Sequence, residues 1–162
     1  MKFGGTSVGK PERMRQVSQL ITADAEPKIV VLSALSGTTN ALVEIGAAIS
    51  SGQREKAKEL IDKLEAHYQG FIKDLLKKES SLKKAGSIVA EHFEFLTIIL
   101  KISFSEALSK DILAQGELLS TKLFSVFLEE NGIDHFLLPA LEFMSIDNHD
   151  EPQINKIGRA HV

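Results

Sequence analysis

The chain of 162 residues contains no cysteine, which excludes disulfide bonds and thiolate metal sites. No apolar stretch approaches the roughly 18 residues of a membrane-spanning helix, and the N-terminus lacks the apolar core of a signal peptide. The formal net charge of −3 gives no general attraction to nucleic acid. With 43% hydrophobic and 25% charged residues, the composition is typical of one globular domain. We therefore expect a cytoplasmic protein without membrane or nucleic-acid partners.

The two common nucleotide-binding motifs are also missing, since the sequence has neither G-x-x-x-x-G-K-[ST] nor G-x-G-x-x-G. It begins instead with the octet KFGGTSVG at 2–9. Adjacent glycines lack the Cβ atoms that would keep an anionic oxygen from the backbone, while a lysine and two hydroxyls add charge and donors. The octet therefore predicts a phosphate-binding loop, with candidate ligands Lys2, Gly4, Gly5, Thr6 and Ser7. The alternative is a glycine-rich turn that follows a short strand.

Short apolar runs alternate with stretches of helical spacing along the chain. The runs predict strands at 2–4, 28–33 and 136–140, and the spacing predicts helices at 11–21, 42–49, 54–78, 87–102 and 105–130. Gly52 and Gly132 are expected to end helices. The run 28–33 has no polar alternation, which is typical of a parallel strand buried on both faces. This order predicts an α/β fold with a mainly parallel sheet sandwiched by helices.

A second turn of glycine and hydroxyl residues, SGTTN at 36–40, follows the strand predicted at 28–33. The carboxyl ends of parallel strands meet at one edge of a sheet, where ligands bind. We therefore expect this turn and the octet to face one site. The histidines show no metal-ligand spacing and are interpreted as surface or interface residues: His67, His92, His135, His149 and His161. No metal ligand is assigned.

Three segments together resemble the aspartokinases of the amino acid kinase superfamily. They are KFGGTS at 2–7, LSALSGTTN at 32–40 and QGELLS at 115–120. The resemblance runs from Lys2 to about Ile154, and the stretch LPALE at 138–142 looks most like the single-function bacterial enzymes. It implies the amino acid kinase (carbamate kinase-like) fold, incomplete at the C-terminal side, and a homodimer in the full-length family.

The activity that this resemblance implies is aspartate kinase, with L-aspartate and ATP as substrates and Mg²⁺ as cofactor. Such an enzyme phosphorylates the side-chain carboxylate to 4-phospho-L-aspartate, the first step toward lysine, threonine and methionine. By analogy, Lys2 is the catalytic cation on the transferred phosphoryl group, and the loop around that group consists of Gly4, Gly5, Thr6 and Ser7. By the same analogy, Ser33 and Thr39 bind aspartate, and Gly37 shapes the turn that holds them. Glu117 accepts a hydrogen bond from the ammonium group of aspartate.

Each of these residues also has a purely structural interpretation. Lys2 is then a surface lysine, Ser33 the end of a strand, Thr39 a helix cap and Glu117 a solvated carboxylate. Two other functions stay open beside aspartate kinase. One is a non-catalytic amino-acid-binding or interaction module. The other is an amino acid kinase that phosphorylates glutamate, N-acetylglutamate or a nucleotide, since the fold alone does not separate these substrates.

The sequence departs from the aspartokinase pattern in its C-terminal part. The family's GRGGSD segment, its adenine-binding stretch and its ligand-sensing ACT domains are not found in these 162 residues. The tail IGRAHV at 157–162 does not resemble the family and matches one reading frame of a sequencing adapter. We therefore expect residues 1–156 to be the N-terminal portion of a catalytic domain, 157–162 to be non-native, and the 162 residues alone to be inactive.

Overall fold

The computed structural model describes residues 1–102, 105–146 and 152–154. Two short strands, β1 (Lys2–Phe3) and β2 (Val31–Leu32), pair in parallel, with Lys2 opposite Val31 and Phe3 opposite Leu32. The chain between them forms α1 (Gly5–Val8) and α2 (Pro11–Ile21). The first unit is therefore a parallel β–α–β crossover, as the sequence predicts.

Four long helices follow and pack side by side. They are α3 (Thr38–Ser50), α4 (Arg54–Leu75), α5 (Glu79–Ile99) and α6 (Glu106–Glu130). Each of α3 and α5 packs against both α4 and α6, and α2 packs on α4. The core between them is apolar, and its largest fully buried side chains include Leu42, Ile45, Ile61, Tyr68, Phe93, Leu96, Ile112 and Leu119. The described part of the chain is thus an α/β fold in which helices outweigh the sheet.

The ends of these helices follow local chemistry. Gly52 and Gly132 adopt φ values of 71° and 67° just after α3 and α6, a left-handed conformation that glycine reaches without a Cβ penalty. Their predicted role as helix stops is confirmed. At the start of α6, Ser105 Oγ accepts a hydrogen bond from the Leu108 N–H at 3.2 Å, which caps the helix.

Several predicted boundaries are wrong. Helix α5 begins at Glu79, two turns before the predicted position, and α4 ends at Leu75. The strand at 28–33 is reduced to β2, in which Val31 is 52% exposed, so burial on both faces is wrong. The described residues give β2 only β1 as a ladder partner. A run of β-branched residues favours a strand but cannot show which faces have neighbours.

The strand predicted at 136–140 is also wrong. Residues 133–139 have no regular structure, and Phe136 is 82% exposed. Pro139 lies at the N-cap of a short helix, α7 (Ala140–Phe143), where its missing N–H removes no hydrogen bond from the helix. Two strands that the sequence did not predict, β3 (Met144–Ile146) and β4 (Pro152–Ile154), then pair antiparallel. No helix in the described ranges is long and apolar enough to cross a bilayer.

Candidate functional site

The predicted phosphate loop is a single helical turn placed directly after β1. Gly4 precedes α1, and the Ser7 N–H donates to the Gly4 carbonyl at 2.8 Å. Lys2 and Thr6 are exposed and Ser7 is half-buried, so a ligand in solvent can reach all three side chains. The Arg13 guanidinium, which the sequence did not single out, donates to the Thr6 carbonyl oxygen at 2.6 Å. It therefore braces this turn and adds positive charge beside it.

The two adjacent glycines of this turn are needed for different physical reasons. A Cβ atom at Gly4 would meet no other atom within 4 Å, so the backbone there is open to an approaching anion. At Gly5 it would lie 2.8 Å from the Ala34 carbonyl oxygen, and at Gly9 it would lie 2.5 Å from Ser36 Cβ. Glycine at positions 5 and 9 is therefore required by close packing against residues 34–36. Sequence alone assigns both members of the Gly4–Gly5 pair to phosphate approach.

The second turn joins β2 to α3 and is attached to the first. The Ser33 N–H donates to the Phe3 carbonyl at 3.0 Å, which extends the pairing of β1 and β2 by one bond. Gly37 has φ 86° and stands immediately before α3, where a left-handed residue is needed. No side chain caps this helix, and Thr39 is exposed in its first turn. Thr39 is therefore not a side-chain cap.

Helix α6 brings the third segment against the same turn. A Cβ atom at Gly116 would lie 2.7 Å from Ala34 Cβ and 3.2 Å from Thr38 Cγ2, so α6 approaches closely only because glycine occupies this position. One turn further along, Ser120 Oγ donates to the Ser33 carbonyl at 2.8 Å. Glu117 follows Gly116 and is exposed. The three segments that are far apart in sequence therefore meet at residues 33–38. The strand order predicts this for the two turns, and the resemblance to aspartokinases implies it for the third segment.

A buried tyrosine lies behind this meeting point. Tyr68 of α4 is fully buried, and its hydroxyl oxygen is 3.0 Å from Thr38 Oγ1. Burial raises the pKa of Tyr68 to about 12; the Thr38 hydrogen bond opposes this shift, and the negative charge of Glu117 adds to it. From sequence, Tyr68 belongs only to the apolar stripe of α4. The signal for more is that a buried tyrosine hydroxyl requires a hydrogen-bond partner.

A buried histidine connects α5 and α6 just before Gly116. His92 is 5% exposed, so its interpretation as a surface or interface residue is wrong. Its Nδ1 is 2.5 Å from Gln115 Oε1, and its Nε2 is 3.0 Å from Lys122 Nζ. Burial lowers the pKa of His92, the Gln115 hydrogen bond opposes this, and the Lys122 charge lowers it further. These partners assign a neutral ring that donates from Nδ1 and accepts at Nε2.

Several features lie away from the candidate site or outside the described ranges. A surface cleft of about 350 Å³ is lined by Arg15, Thr22, Lys77 and Asn131, and none of the candidate residues lines it. Within residues 1–102, 105–146 and 152–154, no group of three or more histidine or acidic side chains could hold a metal ion. The interpretations of His149, His161 and the tail at 157–162 fall on residues that are not described.

Known proteins are similar to this chain in both sequence and fold. The model of the amino acid kinase family matches residues 1–160. Lysine-sensitive aspartokinase 3 of Escherichia coli is 31% identical over 82% of this chain and 28% of its own length. Aspartokinase 2, chloroplastic, of Arabidopsis thaliana is 38% identical over 82% of this chain and 24% of its own length.

The fold is similar to that of a solved structure, E. coli aspartokinase III in complex with aspartate and ADP. The TM-score is 0.74 at 25% identity, over 95% of this chain and 34% of that one. The chain spans about a quarter of the length of the curated relatives it matches. The family match covers nearly all of the sequence, and the chain therefore belongs to the amino acid kinase family.

Proposed function

We propose that this chain is the aspartate-binding and phosphate-binding portion of an aspartate kinase, an enzyme that forms 4-phospho-L-aspartate from L-aspartate and ATP. The observation that carries the proposal is the convergence of three distant segments on residues 33–38. Gly5 packs on Ala34, Ser33 bonds to Phe3, and Gly116 packs on Ala34 and Thr38. The exposed side chains around this junction include a lysine, hydroxyls and a carboxylate, and the Ser7 and Ser33 hydroxyl residues are half-buried.

The exposed groups match the two ends of the reaction. Lys2 supplies positive charge where a phosphoryl group passes between two anions, and Thr6 and Ser7 supply hydroxyl donors beside it. On the aspartate side, Ser33 and Thr39 hold carboxylate oxygens. Glu117 accepts from the substrate ammonium group through a charge-assisted hydrogen bond. Gly37 keeps the turn in the left-handed conformation that places Thr39 at the start of α3.

The residues described here fit the phosphate end of ATP better than they fit Mg²⁺. The open backbone at Gly4 and the exposed Lys2 suit anionic oxygen. When bound, ATP supplies the phosphoryl group. The described residues contain no group of three or more histidine or acidic side chains for Mg²⁺, so no Mg²⁺ ligand is assigned. We further propose that the enzyme is cytoplasmic and dimeric; analytical ultracentrifugation of the full-length protein tests the dimer.

Calorimetry of L-aspartate binding tests this function directly. It measures binding because the sequence leads us to expect no turnover from the 162 residues alone. We expect the chain to bind L-aspartate in preference to L-glutamate and N-acetylglutamate. Glu117→Gln should weaken L-aspartate binding roughly tenfold to hundredfold, because a hydrogen bond to a charged group contributes about 1.5–3 kcal/mol.

Ser81→Ala is the matched control for the binding experiment. Ser81 is a buried hydroxyl at the start of α5, beside Glu130, which lies about 20 Å along α6 from Glu117. This variant should leave the affinity for L-aspartate unchanged. A folded wild-type chain that ignores L-aspartate, or that binds L-glutamate equally well, would contradict the proposed function. Aspartate-dependent release of ADP in a coupled assay would contradict the expected inactivity of the chain.

A further inference from the structure

The hydroxyls of Thr38 and Tyr68 form a pair inside the core, next to the candidate aspartate site. Thr38 is the first residue of α3, and Tyr68 lies in the second half of α4. Their oxygen atoms are 3.0 Å apart, and the two residues are 1% and 0% exposed. A hydroxyl buried this deeply loses its water and needs a protein partner. The pair therefore ties the start of α3 to α4.

The same pair also reaches the third segment of the site. The Thr38 methyl group faces Gly116, where an added Cβ atom would lie only 3.2 Å from it. Glu117 is the next residue of α6, and its negative charge helps to raise the pKa of Tyr68. Tyr68 thus bonds to Thr38, the neighbour of Thr39, and Thr38 in turn packs beside Gly116, the neighbour of Glu117. Neither Thr39 nor Glu117 is buried.

We propose that Tyr68 is a positioning residue for the substrate aspartate: through Thr38, its buried hydroxyl fixes Thr39 relative to Glu117. This inference rests on the proposed aspartate-binding function. Tyr68 itself is sealed from solvent, so it acts only through residues that do reach the ligand. If Thr39 holds a carboxylate and Glu117 holds the ammonium group, the spacing between them decides how well one small molecule satisfies both.

The environment of the ring makes the hydroxyl separable from the packing of the side chain. The Tyr68 ring packs against Phe93 with centroids 5.8 Å apart, and edge-on against His67 at 6.0 Å. Tyr68→Phe keeps these ring contacts and removes one oxygen atom. Thr38→Val keeps the branched shape that packs on Gly116 and removes the other oxygen atom. Each variant therefore breaks the same hydrogen bond from a different side.

The wild-type chain carries its own reporter for this proposal. It has one tyrosine and no tryptophan, so fluorescence in the tyrosine band comes from Tyr68 alone. We expect saturating L-aspartate to change that fluorescence. A ligand held by Thr39 and Glu117 shifts Thr38, and this changes the hydrogen bond between Thr38 and the Tyr68 hydroxyl. L-glutamate at the same concentration is the ligand control and should leave the fluorescence unchanged.

The variants give the quantitative test by calorimetry. Tyr68→Phe and Thr38→Val should each weaken L-aspartate binding about tenfold, or about 1.4 kcal/mol, since each breaks the hydrogen bond that fixes Thr39 relative to Glu117. The double variant should bind L-aspartate no more weakly than the single variant with the lower affinity, because both substitutions break the same hydrogen bond. Ser81→Ala removes a buried hydroxyl far from the site. It should bind L-aspartate as the wild type does, even if its midpoint of unfolding falls as much as that of Tyr68→Phe or Thr38→Val.

Together the results show whether the positioning role fails alone or the proposed function fails with it. If the wild type binds L-aspartate with unchanged tyrosine fluorescence and Tyr68→Phe binds equally well, the positioning role is overturned and the proposed function stands. If the wild type binds no L-aspartate, both are overturned. Should a variant fail to unfold cooperatively, the fluorescence of the wild-type chain decides, because it requires no substitution.

Discussion

Gly116 is the point at which α6 comes closest to the turn that begins α3, and Gly116→Ala tests that contact. The new Cβ atom would lie 2.7 Å from Ala34 Cβ, 3.2 Å from Thr38 Cγ2 and 3.4 Å from Leu42 Cδ1. Carbon atoms pack favourably at about 3.5–4.0 Å, so the shortest of these contacts is too close by about 1 Å. We expect the variant to push α6 away from residues 34–38.

Two effects of opposite sign decide the stability of Gly116→Ala. Alanine favours a helix interior over glycine by about 1 kcal/mol. Overpacking a core costs about 1–3 kcal/mol, and the upper half of that range applies where the neighbours are a short side chain and a branched one that cannot swing away. We therefore expect the free energy of unfolding to fall by about 1–2 kcal/mol. Movement of Glu117 should also weaken L-aspartate binding.

Gly70→Ala in α4 is the matched control, because a Cβ atom at Gly70 would meet nothing within 4 Å. It gains the helix preference without the clash and should raise the free energy of unfolding by up to about 1 kcal/mol. Urea unfolding followed by circular dichroism measures both variants. Opposite signs are the expected result. If Gly116→Ala stabilises the chain as much as Gly70→Ala does, the close contact of α6 with Ala34 is refuted.

The remaining predictions concern pH and a cap between helices. The pKa of His92 is lowered in the folded chain from its ordinary 6.5, so the unfolded chain binds more protons, and the free energy of unfolding should fall as pH drops through and below that value. His92→Gln should flatten this dependence in urea unfolding curves, and an unchanged slope would contradict the burial of a neutral ring. The Glu130 carboxylate accepts the N–H groups of Lys77 at 3.0 Å and Lys78 at 2.9 Å, ahead of α5. Burial raises the pKa of Glu130, but these bonds prevail and lower it below 4.5, so their stabilisation is present above that pH and is lost as pH falls through the lowered pKa. Glu130→Ala should cost about 1 kcal/mol of unfolding free energy at neutral pH, and a loss that persists in acid would contradict this origin.

The helices show how much of the fold local pattern can predict. Apolar spacing finds α2, α3, α4 and α6 because the face that a helix buries repeats along its own sequence. The start of α5 at Glu79 is missed, since that segment is rich in lysine and serine and begins in exposed residues. The strand predicted at 136–140 fails because apolar residues favour a strand but do not supply the neighbour with which it must pair.

In the candidate site, too, some features can be predicted from the sequence and others cannot. The octet, the SGTTN turn and the QGELLS segment are recognisable from residue types, and their positions after strands predict that the two turns share an edge. The different reasons for Gly4 and Gly5 are not recognisable, because the atom that excludes a side chain at Gly5 belongs to Ala34. The burial of His92 is likewise set by α6, whose contacting residues come 23 and 30 positions later.

The sequence by itself determined most of the helical segments, the glycine stops and the family, and it predicted the residues of the candidate site, because each of these inferences depends on residue type and short-range spacing. Only the tertiary structure decided that Tyr68 bonds to Thr38, that Gly116 seats α6 on Ala34, and that Arg13 braces the first turn. These contacts join positions from 7 to 82 residues apart. No local preference encodes such a partner, since the free energy of a buried contact depends on which surfaces the whole fold brings together.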